Sequence, residues 1–597
     1  MTILSLRDIL WYAGVAAAVP WSDNGPKHLH PDLVAQGPDL KLNTKGAGTQ
    51  KPNILFILTD DQDIEMNSLD YMPFVQKHLL DQGTLFRNHF VTTALCCPSR
   101  VSLWTGRHSH NTNVTDVNPP YGGYPKFISQ GFNENFLPVW LQGAGYNTYY
   151  TGKLFNAHTT KNYNNPHVKG FTASDFLLDP WTYNYLNPAY QRNHDPPIIY
   201  HGQHTLDILI DKAYALLDDA VASEKPFFLA VAPVAPHSNI EGDISSIDEI
   251  KNAVLSEPIP LRRHAHLFPD AKVPRTPHFN PDKPSGVNWI AQRPKLNKTL
   301  VDHNDYYYRQ RIRALQGVDE LVDGLFRRLE ENDQLDNTYI FYTADNGFHV
   351  SQHRLNPGKE CGFEDDIRVP LIVRGPGVAA GDISKAVTTH IDLAPTIFGL
   401  AGIPPRDDFD GLAIPLEKAQ ATVKRHEHVN VEYWGFAAEE GSLGGAIYWN
   451  NTYKSLRIIG ENYNLYYSAW CNNEHQLYDL TTDPYQLRNI YPGYADYEEN
   501  QTILGASLTR VIHRLDSLLL VLKSCKGVVC VKPWGKLHPD GDVESLPDSL
   551  LPTFDPFYEQ QQSVSFSRCE QGYILDAEGP QDALSYSRDG AHWSHWV

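Results

Sequence analysis

The run Cys96-Cys97-Pro98-Ser99-Arg100, with Thr105-Gly106-Arg107 close behind it, is the densest concentration of chemistry in a chain of 597 residues. Proline suits the first position of a helix, and serine and arginine suit its first turn. A helix opening here would aim free backbone N–H groups and its positive dipole end at any anion that meets residue 96. Two other clusters offer hard oxygen donors: Asp60-Asp61, and Asp345-Asn346-Gly347 far downstream. Carboxylates and side-chain amides are the ligands that Ca²⁺ or Mg²⁺ prefers. Asp and Asn are also the usual residues of turns and helix caps, so the case for a cation depends on where the fold delivers them.

Each cluster follows an apolar run. Asn53 to Leu58 stops at Thr59-Asp60-Asp61, and Tyr339 to Thr343 stops at Ala344-Asp345. A third run, from Gly145 to Thr151, leads into Gly152-Lys153, and a fourth, Phe227 to Ala232, leads through Pro233 to Ala235-Pro236-His237. From Lys51 to about residue 400 such runs alternate with helical patterns, which predicts an α/β fold with a mostly parallel sheet. Parallel strands present their carboxyl ends to one edge, and ligands collect there. One lysine and one histidine thus join the carboxylates on a shared edge.

Helices are predicted over Leu137 to Gln142, Thr205 to Ala222 and Tyr307 to Glu331. In the last, Ile312, Leu315, Val318, Leu321, Val322 and Leu325 recur at the spacing of a core-facing stripe. Past about residue 405 the texture changes to short Tyr- and Trp-rich strands, such as Gly445 to Trp449 and Tyr453 to Ile459, which predicts a second, smaller sheet. A further helix is predicted near Leu504 to Leu522, followed by a proline-punctuated tail.

A formal charge of −20 repels nucleic acid and anionic membrane surfaces. It does not exclude a small anionic substrate, because charges beyond a Debye length of about 8–10 Å are screened and local cations decide. Arg7 followed by the apolar stretch Ile9 to Val19, with Ala16-Ala17-Ala18, reads as a candidate secretion signal. Sequons at Asn113, Asn297, Asn450 and Asn500 point the same way. The apolar run Leu518 to Leu522 is too short to span a bilayer.

The pentapeptide Cys96 to Arg100 with Thr105-Gly106-Arg107 resembles the signature of the type I sulfatases. By average residue frequencies, Cys-x-Pro-Ser-Arg arises by chance on the order of 10⁻³ times in a chain of this size. The likeness extends over residues 51 to about 490. Gly145-Tyr146-x-Thr148 with Gly152-Lys153 matches the second motif of that family. Lys359, Phe363-Glu364 and Arg368-Val369-Pro370 match a later one, and Leu477-Tyr478-Asp479-Leu480 with Asp483-Pro484 is similar to the segment that closes the C-terminal sheet.

The resemblance implies an alkaline-phosphatase-like large domain over residues 51–405, a small antiparallel-sheet subdomain over 406–500 and a C-terminal helix and cysteine-containing extension over 501–597. Residues 1–18 would then be the signal peptide and 19–50 a lead-in. It implies that Cys96 is oxidised to Cα-formylglycine by a formylglycine-generating enzyme, and that one Ca²⁺ is held by Asp60, Asp61, Asp345, Asn346 and the modified Cys96. Arg100, Lys153 and Lys359 would neutralise the sulfate and formylglycine oxygens, and His237 would protonate the leaving oxygen. Setting Cys96 aside leaves an even number of cysteines, of which Cys525 and Cys530 could close a short loop.

The implied substrate is an aryl sulfate, in a secreted or lysosome-like setting. One departure bears on the mechanism. Many sulfatases carry a histidine two or three residues after the Gly-Lys, where this chain has Asn156, a form similar to the N-acetylglucosamine-6-sulfatase branch. His158, His349 or a metal-influenced hydroxyl remain as bases, and the 6-O-sulfate of an amino sugar is the rival substrate. Phosphonate or phosphodiester hydrolysis and non-catalytic capture of sulfated ligands, with Cys96 a thiol, are the other readings.

Overall fold

The computed structural model of the protein describes residues 51–587, apart from 246–248, 250–251 and 418–424. The candidate secretion signal and the lead-in over residues 19–50 lie outside the described residues. The strands in chain order are β1 Asn53–Thr59, β2 Thr84–Phe90, β3 Asn147–Lys153, β4 Ala173–Leu177, β5 Ala189–Arg192, β6 Ile198–Ile199 and β7 Phe227–Ala232. A hairpin of β8 Asn239–Glu241 and β9 Val254–Ser256 follows, then β10 Thr338–Ala344, β11 Leu371–Arg374 and β12 Asp382–Thr389. All but the hairpin form one sheet in the order β12-β2-β11-β10-β1-β7-β3-β4-β5-β6.

The central pairings β10-β1, β1-β7, β7-β3 and β3-β4 are parallel, as the apolar runs predict. Antiparallel neighbours enter toward both sides, at β11 and at β5 and β6. Every residue of β1, β7 and β10 is buried, as expected of strands covered on both faces. Ile54, Phe56 and Leu58 pack into one core with Val101, Leu103 and Trp104. Leu55 and Ile57 point the other way, into a core shared with the helices Thr205–Val221 and Lys298–Glu331. The period of two in one strand therefore fixes a three-layer arrangement.

The helices largely follow their predicted spans. Leu137–Gly143 and Thr205–Val221 agree within a residue. The stripe that begins at Tyr307 belongs to a longer helix, Lys298–Glu331, because the Asn297 side chain accepts a hydrogen bond from the Leu300 N–H and caps it earlier. Ser507 caps Leu508–Leu522 in the same way. The helix at the pentapeptide spans Cys96–Thr105, so Pro98 is its third residue rather than its first. Its missing N–H costs nothing within that first turn.

The C-terminal region is built on β13 His428–Tyr433, a ribbon of β14 Ala437–Ala438 with β15 Ile447–Tyr448, then β16 Tyr453–Ile459, β17 Asn464–Trp470 and β18 His475–Asp479. The antiparallel order is β13-β16-β17-β18. The predicted strand at Gly445 to Trp449 survives only as the two residues of β15. One face of the sheet, with Leu456, Ile458 and Leu465, packs on Leu515, Leu518 and Leu519. The other, with Tyr453, Tyr466 and Tyr478, packs on Phe90, Phe363 and Val369.

Disulfides join Cys471 to Cys569 and Cys525 to Cys530, the second closing the short loop expected of it. The even count of cysteines left after Cys96 does not mean full pairing. Cys97 and Cys361 are buried free thiols that belong to two different cores.

Candidate active site

Four parallel strand ends build one crevice. β1 ends at Asp60-Asp61, β10 at Asp345-Asn346, β3 at Lys153, and β7 turns through Pro233 toward His237. Gly152 adopts φ +101°, and a Cβ there would stand 2.1 Å from the Ala232 carbonyl oxygen. Only glycine lets β3 stay beside β7 while Lys153 turns into the crevice. Asp61 holds φ 64°, a conformation uncommon outside Gly, Asn and Asp. Its backbone N–H donates to Asp345 Oδ1 at 3.0 Å, joining the two strand ends.

The helix N-terminus brings Cys96 to this edge. Cys96 Sγ lies 3.5 Å from Asp60 Oδ1 and 3.6 Å from Lys359 Nζ. One turn on, Arg100 Nε donates to Asp345 Oδ2 at 2.8 Å, with Nη2 3.4 Å from Asp60 Oδ2. Lys153 Nζ meets Asp60 Oδ2 at 2.5 Å, and Lys359 Nζ spans both oxygens of Asp61 at 2.6 and 2.7 Å. Ser99 Oγ donates to the Asp345 carbonyl at 2.5 Å, pinning the helix to β10. The structure thus brings together Asp60, Asp61, Cys96, Arg100, Lys153, Asp345, Asn346 and Lys359. His237 joins them, with Nε2 3.6 Å from Asp61 Oδ2 and Nδ1 on the Ser238 carbonyl at 2.9 Å.

All of these side chains are buried, which sets their electrostatics. Burial pushes the Asp61 carboxyl upward, against the pull of Lys359 and His237. Burial also opposes ionisation of Asp345, but Arg100, Lys153 and Lys359 outweigh it and hold that carboxyl below its usual range. The Cys96 thiol is pushed well up, first by burial and then by Asp60. A thiol so disfavoured as thiolate is a poor nucleophile.

The donor set fits a hard divalent cation. Ligand atoms of Asp60, Asp61, Cys96 and His237 lie within 4.8 Å of one another. Asn346 donates its amide N–H to Asp61 Oδ1 at 2.7 Å, while its Oδ1 is buried with no hydrogen-bond partner. A lone buried amide oxygen beside three carboxylates is what an oxygen-seeking ion would satisfy.

Several residues at the site carry no sequence signal of their own. Glu440, from the loop after β14, lies 3.3 Å from Lys359 Nζ and accepts from Ser238 Oγ. Tyr183 stacks on His237 with ring centroids 4.1 Å apart and carries Lys153 Nζ 4.7 Å over its face. Asn156 donates to the Tyr183 hydroxyl at 2.7 Å, so it supports that platform. Of the alternative bases, His158 sits between Tyr124 and Phe176, and burial pushes it down to about 3. His349 is committed through Nδ1 to Asp366 at 2.8 Å.

A sequence model of the sulfatase family matches residues 52–403, and one for the C-terminal part of N-sulphoglucosamine sulphohydrolase matches residues 357–514. The chain is 38% identical over 556 residues to an arylsulfatase of Volvox carteri, covering 88% of this chain and 83% of that protein. It is 30% identical over 535 residues to N-acetylglucosamine-6-sulfatase of Homo sapiens, covering 84% and 90%. A chain solved in complex with its substrate D-glucosamine-2-N,6-O-disulfate superposes with a TM-score of 0.55 at 24% identity, over 74% of this chain and 94% of that one. That last likeness speaks for the fold. The chain belongs to the sulfatase family, and it is a sulfuric ester hydrolase.

Proposed function

We propose that the protein hydrolyses aryl sulfates to phenol and sulfate, with residue 96 acting after oxidation to Cα-formylglycine and with one resident Ca²⁺. The observation that carries this reading is the convergence of three cations and three carboxylates around Cys96 Sγ at the head of a helix. Hydrated formylglycine supplies two geminal hydroxyls, one to accept the sulfuryl group and one whose loss of a proton releases sulfate and restores the aldehyde. Asp60, Asp61, Asp345 and Asn346, with residue 96, would hold the cation, which supplies positive charge beside the sulfate oxygens.

The chain's own residues do the rest. Arg100, Lys153 and Lys359 stand preorganised in a water-poor crevice, where fixed charge stabilises a transferring oxyanion most strongly. With Nδ1 committed to the Ser238 carbonyl, His237 keeps Nε2 for the oxygen that leaves with the phenol. Tyr183 holds that ring in place by stacking.

Cys96 is only 2% exposed, so a modifying enzyme reaches it before the fold closes. Two disulfides, and exposed sequon residues at Asn297, Asn450 and Asn500, suit an oxidising, glycosylating secretory route. Among the described residues no helix is long and apolar enough to cross a membrane.

A second reading, cleavage of the 6-O-sulfate of an amino sugar, is favoured by Asn156 beside the Gly-Lys and by the N-acetylglucosamine-6-sulfatase relatives. Steady-state kinetics on nitrophenyl sulfate and on 6-O-sulfated N-acetylglucosamine separate the two. The aryl reading expects the higher kcat/KM on the first, sugar-selective release supports the second, and turnover of neither by enzyme carrying the aldehyde contradicts both.

A further inference from the structure

A second group of ligands lies outside the crevice. His278, on the coil before the long helix, His353, on the loop after β10, and Asp365 gather their side chains with ligand atoms within 4.8 Å of one another. All three are buried. His278 Nε2 is 3.2 Å from Asp365 Oδ1, and His353 Nε2 is 4.0 Å from Asp365 Oδ2. At metal–ligand bonds of about 2.0–2.2 Å and tetrahedral angles, neighbouring donor atoms stand roughly 3.3–3.5 Å apart. The observed spacings bracket that figure.

The surroundings are those of a built site. His353 Nδ1 is 2.7 Å from Ser285 Oγ, the kind of outer hydrogen bond that fixes a ligand ring and leaves the other nitrogen's lone pair free. That other nitrogen, Nε2, is buried and has no hydrogen-bond partner. The 3.2 Å contact occupies His278 Nε2, while the 4.0 Å approach leaves His353 Nε2 outside hydrogen-bond range of Asp365, so one nitrogen of the trio faces the carboxylate unsatisfied. The backbone holds the two histidines in register: the His353 N–H donates to the His278 carbonyl at 2.8 Å, and the Asn280 N–H to the Ser351 carbonyl at 2.8 Å. His353 is stacked on Phe363 at 3.7 Å and His278 on Tyr485 at 4.8 Å, so neither ring is loose.

We propose that His278, His353 and Asp365 form a second metal site, for a borderline divalent transition ion such as Zn²⁺, whose role is structural. Two imidazoles and one carboxylate suit such an ion and not the oxygen-seeking Ca²⁺. The site would clamp the segment around residue 278 to the loop from Asn346 to Asp366. That loop carries Asn346 and Lys359 to the crevice, and the Asp365 carbonyl accepts the Phe348 N–H at 2.8 Å.

Elemental analysis of the full-length protein, purified in metal-free buffer and then equilibrated with Zn²⁺ and desalted, tests this. About one zinc per chain is expected, and Co²⁺ substituted at the same step should give the visible absorption bands of a nitrogen-ligated tetrahedral ion. His353→Gln should lose that zinc, whereas Asp60→Ala, in the crevice, should keep it. Because His353→Gln could fold poorly, the cobalt spectrum of the parent stands as an independent reading. A folded parent that retains no zinc and gives no such cobalt bands overturns the proposal, as does zinc retained at full stoichiometry by His353→Gln.

Discussion

Two buried ion clusters in this molecule look alike in a list of charges and differ in how those charges are satisfied. In the first, Asp60, Asp61 and Asp345 face Arg100, Lys153 and Lys359. In the second, Glu432 of β13 meets Lys454 of β16 at 3.1 Å and His110 at 2.9 Å. The second cluster is closed around Glu432, although Glu578 Oε2, 3.4 Å from Lys454 Nζ, is buried without a hydrogen-bond partner. Glu432 Oε1 accepts the His110 backbone N–H, Oε2 accepts Lys454, and His110 fills its far nitrogen with the Cys525 carbonyl. The crevice is open by comparison: Arg100 Nη2 and Asn346 Oδ1 are buried without hydrogen-bond partners. Around Glu432 each hydrogen bond ties one element of the fold to another, while in the crevice the unpartnered atoms stand among the residues that would hold a cation and an anion.

Mutations in the two clusters should act differently. Cys96→Ala should lower turnover of nitrophenyl sulfate by about 10⁴-fold or more and leave the unfolding midpoint near that of the parent. Lys359→Ala should cost about 10²–10³ in kcat/KM, the usual effect of removing one oxyanion-stabilising group. Lys454→Ala, in the closed cluster, should do the reverse: about 3–5 kcal/mol less stability by denaturant titration, with kcat/KM of the folded fraction unchanged. If Lys454→Ala and Lys359→Ala gave the same pattern, the distinction between the clusters would be lost.

Two smaller effects are expected. His237→Gln should slow esters of poorly acidic alcohols by about 10²-fold and nitrophenyl sulfate by much less, because a good leaving group needs little proton assistance. The other effect is on pH. Hydrogen bonds from both His110 nitrogens require the imidazolium, and although burial opposes that charge, Glu432 outweighs it and raises the folded value above the ordinary 6.5. Stability from a raised value is fully present below about 6.5 and is lost as pH climbs through the folded value. The stability gap between parent and His110→Gln should therefore be widest in mildly acidic buffer and narrow as pH climbs through the raised folded value. A gap that widens with rising pH contradicts the assignment.

Much of the crevice was legible in the chain because it stands on strand ends. A short apolar run such as Ile54 to Leu58 announces a buried strand, and parallel topology then dictates that Asp60, Lys153 and Asp345 share an edge. Lys359 was reachable only through the family motif, since no strand delivers it. Glu440 and Tyr183 gave no signal, because they arrive on irregular loops whose paths follow tertiary packing rather than periodicity. The pairing of cysteines was equally hidden: Cys97 and Cys361 behave as small apolar residues, and nothing in their spacing sets them apart from the bridged four. Asn156 read as a missing base, whereas in the fold it holds the Tyr183 hydroxyl.

On the proposed mechanism, residue 96 of the working enzyme is an aldehyde hydrate facing the cation crevice. Mass measurement of the peptide containing residue 96, on protein from its own host and in parallel with turnover on nitrophenyl sulfate, tests it most directly. Sulfur should be replaced by oxygen in proportion to specific activity. Fully active protein whose residue 96 is an intact, alkylatable thiol would contradict it.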